Sequence, residues 1–352
     1  MNALYSLAAV VALTALGWLG GSLPGWHVLF GVIVPYAAIL AFLAGIAVRV
    51  IRWSNAPVPF RITTTCGQQK SLPWIQSARL DNPGTTLGAV GRMALEILLF
   101  RSLFRNTQAQ LREGPRLVYA ESKFLWLGAL AFHYSFLVIF LRHLRFFLEP
   151  VPGAVLLLQN LDGFFQIGAP VLYLTDVVIV AALLYLLGRR LLAAQLRYLS
   201  LAADYFALFL LLGLAITGIL MRYFTKVNLL EIKRLAMGLV TFTPVTPAGI
   251  GALFYAHLFL LSVLIAYFPF SKLAHMAGVF LSPTRNLANT NRMRRHINPW
   301  NYPVKVHTYE EWEEEFHDKI KAAGLPLEHA ARASAPPHGG AAPASGGTVS
   351  HG

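Results

Sequence analysis

The stretch Ala131–His143, AFHYSFLVIFLRH, sets two imidazoles ten residues apart in a run otherwise made mostly of phenylalanine, leucine, valine and isoleucine. The apolar run around it, from about residue 123 to 148, is long enough to cross a hydrocarbon core roughly 30 Å thick. Runs of the same kind are predicted at about 3–20, 27–50, 168–188, 199–223 and 250–270. The whole chain agrees: 56% of its 352 residues are hydrophobic and 13% charged, which is wrong for a soluble domain. Almost none of the runs alternates as a barrel strand would. The expected fold class is therefore an all-α polytopic membrane protein, a bundle of six transmembrane helices. The first run lacks a basic n-region and a convincing cleavage site, and GGSLPGW leads straight into the second, so it is read as a retained helix.

Net charge is +13, and its placement sets the orientation. Residues Arg49–Lys123 carry eleven Lys/Arg, the turn with Arg189, Arg190 and Arg197 three, and Lys272 onward nine. The opposite connections hold six: Arg142, Arg145, Arg222, Lys226, Lys233 and Arg234. Twenty-three against six places both termini in the cytoplasm of a multi-pass protein of the cytoplasmic (inner) membrane. Topology thus accounts for the basic balance, and no nucleic-acid partner is implied. The single cysteine, Cys66, cannot hold an iron–sulfur cluster, and no CxxCH exists to attach haem covalently.

The expected organisation is residues 1–50 as the first two spans, 51–122 as a cytoplasmic loop, and 123–280 as a four-helix membrane core. Residues 281–329 form a cytoplasmic partner-docking segment and 330–352 a disordered Pro/Ala/Gly/Ser tail. Within the loop, Gly88–Arg105 (GAVGRMALEILLFRSLFR) has apolar residues at helical spacing; it either lies on the membrane lipid or docks a cytoplasmic partner. In the docking segment a helix is predicted from Thr308, with Glu311 in capping-box position.

Four histidines fall in the spans in a pattern: His133 and His143 on the third, His257 and His275 on the sixth and its continuation. Eighteen residues are five whole helical turns, so His257 and His275 share a face about 27 Å apart. His133 and His143 are about 15 Å apart and offset by about 80°. The two spans run antiparallel, which pairs His133 with His275 toward the cytoplasm and His143 with His257 toward the periplasm. The unequal spacings demand tilted helices, with Pro269 placed to bend the sixth. One intramembrane histidine is as readily a hydrogen bonder as a ligand. Two facing pairs suit bis-histidyl ligation of two b-type haems, with no open iron position, which favours electron transfer. Zinc or copper would want more ligands at one depth. A proton-coupled transporter using these histidines would want more carboxylates than Asp176 and Asp204. Anionic haem propionates need cations, and Arg142, Arg145, Arg222 and Lys272 stand near the four histidines. Asp176 is a candidate for quinone binding or proton release.

The His-x9-His and His-x17-His pattern is similar to that of the respiratory nitrate reductase gamma subunit family, di-haem cytochromes b. The phrases SNAPVPFRITTTCGQQKSLPW (Ser54–Trp74) and HINPWNYPVKVHTYEEWEEEFHDKIKAAGLPLE (His296–Glu328) resemble the DsrM branch, membrane cytochromes b of DsrMKJOP complexes. That resemblance implies an electron-transfer subunit linking a quinone, menaquinone in this setting, to a cytoplasmic iron–sulfur subunit like DsrK, itself similar to heterodisulfide reductase. It also implies further membrane and periplasmic subunits and a place in dissimilatory sulfur metabolism. By the same resemblance His143 and His257 hold the periplasmic-side haem, and His133 and His275 the other.

Overall fold

The computed structural model describes residues 1–55, 74, 76–114, 116–163, 170–282, 286–289 and 307–328. Cys66 and the tail from 330 lie outside the described residues. The chain divides into two units, 1–300 and 301–352.

In the first unit, α1 (Asn2–Ser22) is followed by a turn at Pro24–Trp26, a π-helical turn at Leu29–Ile33, and α2 (Val34–Ser54). Helix α3 (Thr86–Leu99) begins on a Thr85 cap that accepts from the Gly88 amide at 3.2 Å. Phe100 then takes the left-handed conformation (φ 49°), and the single turn α4 (Arg101–Phe104) leaves at a new angle. The Gly88–Arg105 run is thus two helices and not one. Next comes a departure from the purely helical expectation. Strands β1 (Thr107–Arg112) and β2 (Arg116–Glu121) pair antiparallel, Thr107 opposite Glu121, around a turn with Gly114 at φ 82°. The EGP sequence supplies turn residues between two short segments in which apolar and polar residues are mixed.

The membrane core continues with α5 (Lys123–His143), α6 (Gly153–Asp162), α7 (Leu174–Leu192), α8 (Ala194–Leu199), α9 (Ala202–Ile219), α10 (Leu229–Val240), α11 (Ala252–Tyr267) and the short α12 (His275–Gly278). Five segments are long and apolar enough to cross a membrane: Asn2–Ser22, Pro24–Ser54, Lys123–Phe146, Ala202–Thr225 and Ala252–Phe270. The chain is a multi-pass helical membrane protein. The run expected at 168–188 is helical only from Leu174, and Asp176, Arg189 and Arg190 lie inside α7, which leaves it the least apolar of the long helices.

Helix α11 is the axis of the bundle, packed on α1, α2 and α9. A Cβ at Gly17 would stand 2.8 Å from Ala256 Cα, and one at Gly21 2.8 Å from Ala252 Cα, so α1 lies almost backbone to backbone on α11. Lipid tails are as apolar as leucine, so this van der Waals approach replaces the hydrophobic drive of soluble cores. Where one five-turn rod was expected to carry His257 and His275, the helix breaks. Pro269 has no amide proton to continue the ladder, Ser271 is extended (ψ 175°), and two 3-10 turns precede His275. The face-sharing expected of an unbroken helix does not apply to these two residues.

In the second unit, α13 (Tyr309–Ala322) starts with a reciprocal capping box. The Glu311 amide donates to the Thr308 hydroxyl at 3.2 Å, and the Thr308 amide to the Glu311 carboxylate at 3.1 Å.

Candidate functional site

The four histidines share a local geometry. His133 Nδ1 lies 2.7 Å from the Ala129 carbonyl, His143 Nδ1 2.7 Å from that of Ile139, and His275 Nδ1 2.9 Å from that of Lys272. A carbonyl only accepts, so Nδ1 carries the proton and, in the neutral ring, Nε2 keeps its lone pair. His257 reaches the same state through a side chain. Its Nδ1 is 2.8 Å from Thr217 Oγ1, whose own proton goes back to the Gly213 carbonyl at 2.8 Å, leaving the hydroxyl to accept. All four rings therefore present an unprotonated Nε2, the arrangement that a metal-ligating histidine needs. His27 is built the other way: its Nε2 bonds the Gly21 carbonyl at 3.0 Å and its ring stacks on Tyr255 at 4.6 Å.

The structure brings His133 and His275 together, ring centroids 6.0 Å apart and planes at 87°. Two imidazole nitrogens each about 2 Å from one metal would put the centroids about 6 Å apart. The spacing thus fits two imidazoles that would hold one metal-centred group between them. Phe100 and Phe132 stand edge-on to His133, at 4.9 and 5.0 Å, and supply apolar walls. His143 closes α5 and His257 lies in the first half of α11, the second pair expected from the sequence. Gly218 backs His257, where a Cβ would come 3.4 Å from its Cε1. Among the described residues no group of three or more His, Cys, Asp or Glu could hold a bare metal ion.

Around the second pair lies a buried polar network. Arg142 meets Asp162 through Nε at 3.1 Å and Asp176 through Nη2 at 2.9 Å. Asp162 also accepts from the Thr175 amide (2.9 Å) and hydroxyl (2.6 Å). Tyr223 donates its hydroxyl to Asp176 at 2.8 Å and accepts from the Tyr173 amide at 3.0 Å. The Tyr173 ring carries two guanidiniums, Arg142 at 3.8 Å and Arg222 at 3.9 Å. Arg222 gives one hydrogen bond to the Val171 carbonyl at 3.0 Å, while its buried Nε has no partner among the described residues, an orphan donor that suits an anion. Arg145 donates to Gln159 at 2.8 Å. Lys272, at the opposite end, is held by Asp204 at 2.7 Å, with Arg190 at 3.7 Å from the same carboxylate.

Asp176 and Tyr223 also border a cleft of about 590 Å³ between α7 and the α9 segment, whose exposed walls are almost wholly apolar, from side chains such as Val177, Val180, Leu184 and Ile219. Sequence reading missed Asp162, Thr217, Tyr223 and Arg49. Asp162 ends the short α6, which falls between the expected spans, where a carboxylate carries no signal. Thr217 and Tyr223 had a weak one, as polar groups in an otherwise apolar span.

Residues 89–295 match the family described as Nitrate reductase gamma subunit. The chain is 48% identical over 280 residues to the Hdr-like menaquinol oxidoreductase cytochrome b-like subunit of Archaeoglobus fulgidus, covering 78% of this chain and 83% of that one. It is 41% identical over 274 residues to the protein of the same description from Archaeoglobus profundus, covering 76% and 81%. The chain belongs to the nitrate reductase gamma subunit family.

Proposed function

We propose that the chain is a di-haem b membrane subunit that carries electrons between a menaquinone pool and a cytoplasmic iron–sulfur subunit like that of heterodisulfide reductase. The observation that carries this reading is the set of four histidines, each with Nδ1 spent on a hydrogen bond and Nε2 left free. The names of the Archaeoglobus relatives support the quinol and the heterodisulfide reductase-like partner. The loop and tail phrases support the finer DsrM-like assignment: a DsrMKJOP-like complex with further membrane and periplasmic subunits, in dissimilatory sulfur metabolism. The charge asymmetry supports six spans in the inner membrane with both termini cytoplasmic.

In this reading His133 with His275, and His143 with His257, would hold one haem each, and Arg222 and Arg145 are the cations that would meet the propionates. When bound, the haems would supply one-electron redox chemistry. The rest is done by the chain. Asp176 uses two of its acceptor sites on Arg142 and Tyr223 and keeps lone-pair capacity beside the apolar cleft. Oxidation of a quinol headgroup seated there releases two protons and two electrons: one proton goes to Asp176 and the other to water, and the electrons would pass one at a time to the haems that the two histidine pairs would hold. Asp176 accepts a proton from a quinol hydroxyl, and Arg142 stabilises the carboxylate that must be restored afterwards. The apolar walls of the cleft receive the isoprenoid chain.

The experiment is a reduced-minus-oxidised visible spectrum of the purified protein with haem extraction, then reduction by a short-chain menaquinol. The expected result is two haems b per chain, and reduction by quinol slowed at least tenfold in Asp176→Asn with haem content intact. A colourless protein would leave the proton-coupled transporter as the better reading. Two haems with Asp176→Asn unaffected would move the quinone elsewhere.

A further inference from the structure

Helix α3 is amphipathic in the opposite sense to a helix on a soluble surface. Leu87, Val90, Ala94, Ile97 and Leu98 fall within about 100° of arc and are exposed, Leu87 at 83%. The opposite face turns inward, with Ala89 2% and Arg92 3% exposed. The other charges nearby are also engaged within the chain: Arg101 and Arg105 bond Asp81, and Glu96 accepts from the Ser102 amide at 3.0 Å. A helix that greeted a soluble partner would carry charge at the rim of its apolar patch. This one carries none.

Its depth is fixed by two side chains of the third span. Trp126 Nε1 donates to the Leu99 carbonyl at 2.7 Å and the Tyr134 hydroxyl to the Leu98 carbonyl at 2.9 Å. Tyr134 lies about 16 Å along α5 from its first residue, and its side chain leans back by a few ångströms. The end of α3 therefore sits well inside the length of a membrane-crossing helix. Its stripe continues the outer face of that helix, where Phe124, Leu127 and Leu137 are also exposed. Orphan carbonyls at a helix end are costly in hydrocarbon, and Trp126 and Tyr134 satisfy two of them.

We infer that α3 is a monotopic helix sunk into one leaflet, its Leu87–Leu98 stripe covered by lipid acyl chains. Its last residue delivers Phe100, in the left-handed conformation, edge-on to His133. Lipid-held α3 thereby walls the first histidine pair from the side. The inference does not depend on what the histidines bind.

The test places a nitroxide at Val90→Cys, Leu98→Cys and, as the aqueous reference, Glu113→Cys in the hairpin turn, in the Cys66→Ser full chain reconstituted in phosphatidylcholine vesicles. Collisions with oxygen relative to a water-soluble nickel chelate should be several-fold higher at 90 and 98 than at 113. A ratio equal to that at 113, or protection from both reagents, would overturn the inference, the latter by showing protein cover. The unmodified chain provides a second measurement. A phosphatidylcholine with a diazirine on its acyl chain should leave adducts on residues 87–98. Adducts on Leu127 and Leu137 alone would count against it.

Discussion

The two histidine pairs are served by opposite kinds of surroundings. The His133–His275 pair is walled by aromatic rings and held by backbone. Phe100 and Phe132 stand against His133, and His275 hangs on two 3-10 turns that Arg49 of α2 clamps through the carbonyls of Pro269 and Ser271, the latter at 2.8 Å. The His143–His257 pair is embedded in side-chain polarity: Thr217 on one ring, and beside the other Arg142 with two carboxylates and a tyrosine. An apolar wall excludes water and does nothing with protons. A network of two carboxylates, an arginine and a tyrosine can hold one and release it. Under the proposed function, this difference puts proton handling at the second pair's end and electron passage alone at the first.

The largest predicted effect breaks the polar end. Arg142→Met removes the one guanidinium shared by Asp162 and Asp176 and leaves a buried and a half-buried carboxylate without their counter-charge. A loss of about 3–5 kcal/mol in unfolding free energy is expected, read in detergent by denaturant titration. A variant as stable as the parent would show those carboxylates to be neutral or solvated.

Next, Thr217→Val keeps the shape and deletes the acceptor that fixes the His257 tautomer. Affinity of that pair for its cofactor should fall about 10–100-fold, with the His133–His275 pair untouched. Titrating the stripped protein with haemin gives the two affinities separately. Equal weakening at both pairs would deny the Thr217 bond its local role.

Arg49→Ala probes the backbone-held pair. Freeing two carbonyls costs about 1–3 kcal/mol and loosens the turn that carries His275. The expected readout is a broadened low-spin signal and a shifted midpoint potential for that site alone. No change in either would make Arg49 a helix cap and nothing more.

The smallest effect is a pH dependence. The hydrogen bond from Arg101, aided by Arg105, holds Asp81 below the ordinary carboxylate range. A carboxylate with a depressed folded pKa contributes fully above its unfolded pKa of about 3.9 and loses that contribution as pH falls through the folded value. Hydrogen exchange across residues 86–105 should therefore be constant from pH 8 to 5, after correction for intrinsic rates, and quicken only below about pH 4.

Much of the membrane architecture was legible in the sequence because hydrocarbon admits few solutions: apolar length gave five of the six expected spans, and Thr308 with Glu311 gave the α13 cap. The four histidines were legible because an imidazole in oil needs a reason. What was hidden depends on tertiary contacts. Pro269 marked a bend, but nothing local marks Ser271 as extended, where Arg49, two hundred residues away in sequence, binds its carbonyl. Lys272 looked like a free cation, but Asp204 comes to it from α9. Asp176 was singled out alone, although its meaning comes from Asp162 and Tyr223, which folding brings to it. The β1–β2 hairpin was lost inside a loop that composition described only as polar.

The most direct test of two separate axial pairs is to replace His143 and His275 by alanine, one at a time, in membranes grown with ample porphyrin supply, and to count haem per chain. The pairing predicts one remaining haem in each variant, with different midpoint potentials. Loss of the same haem in both, or of none, would contradict it.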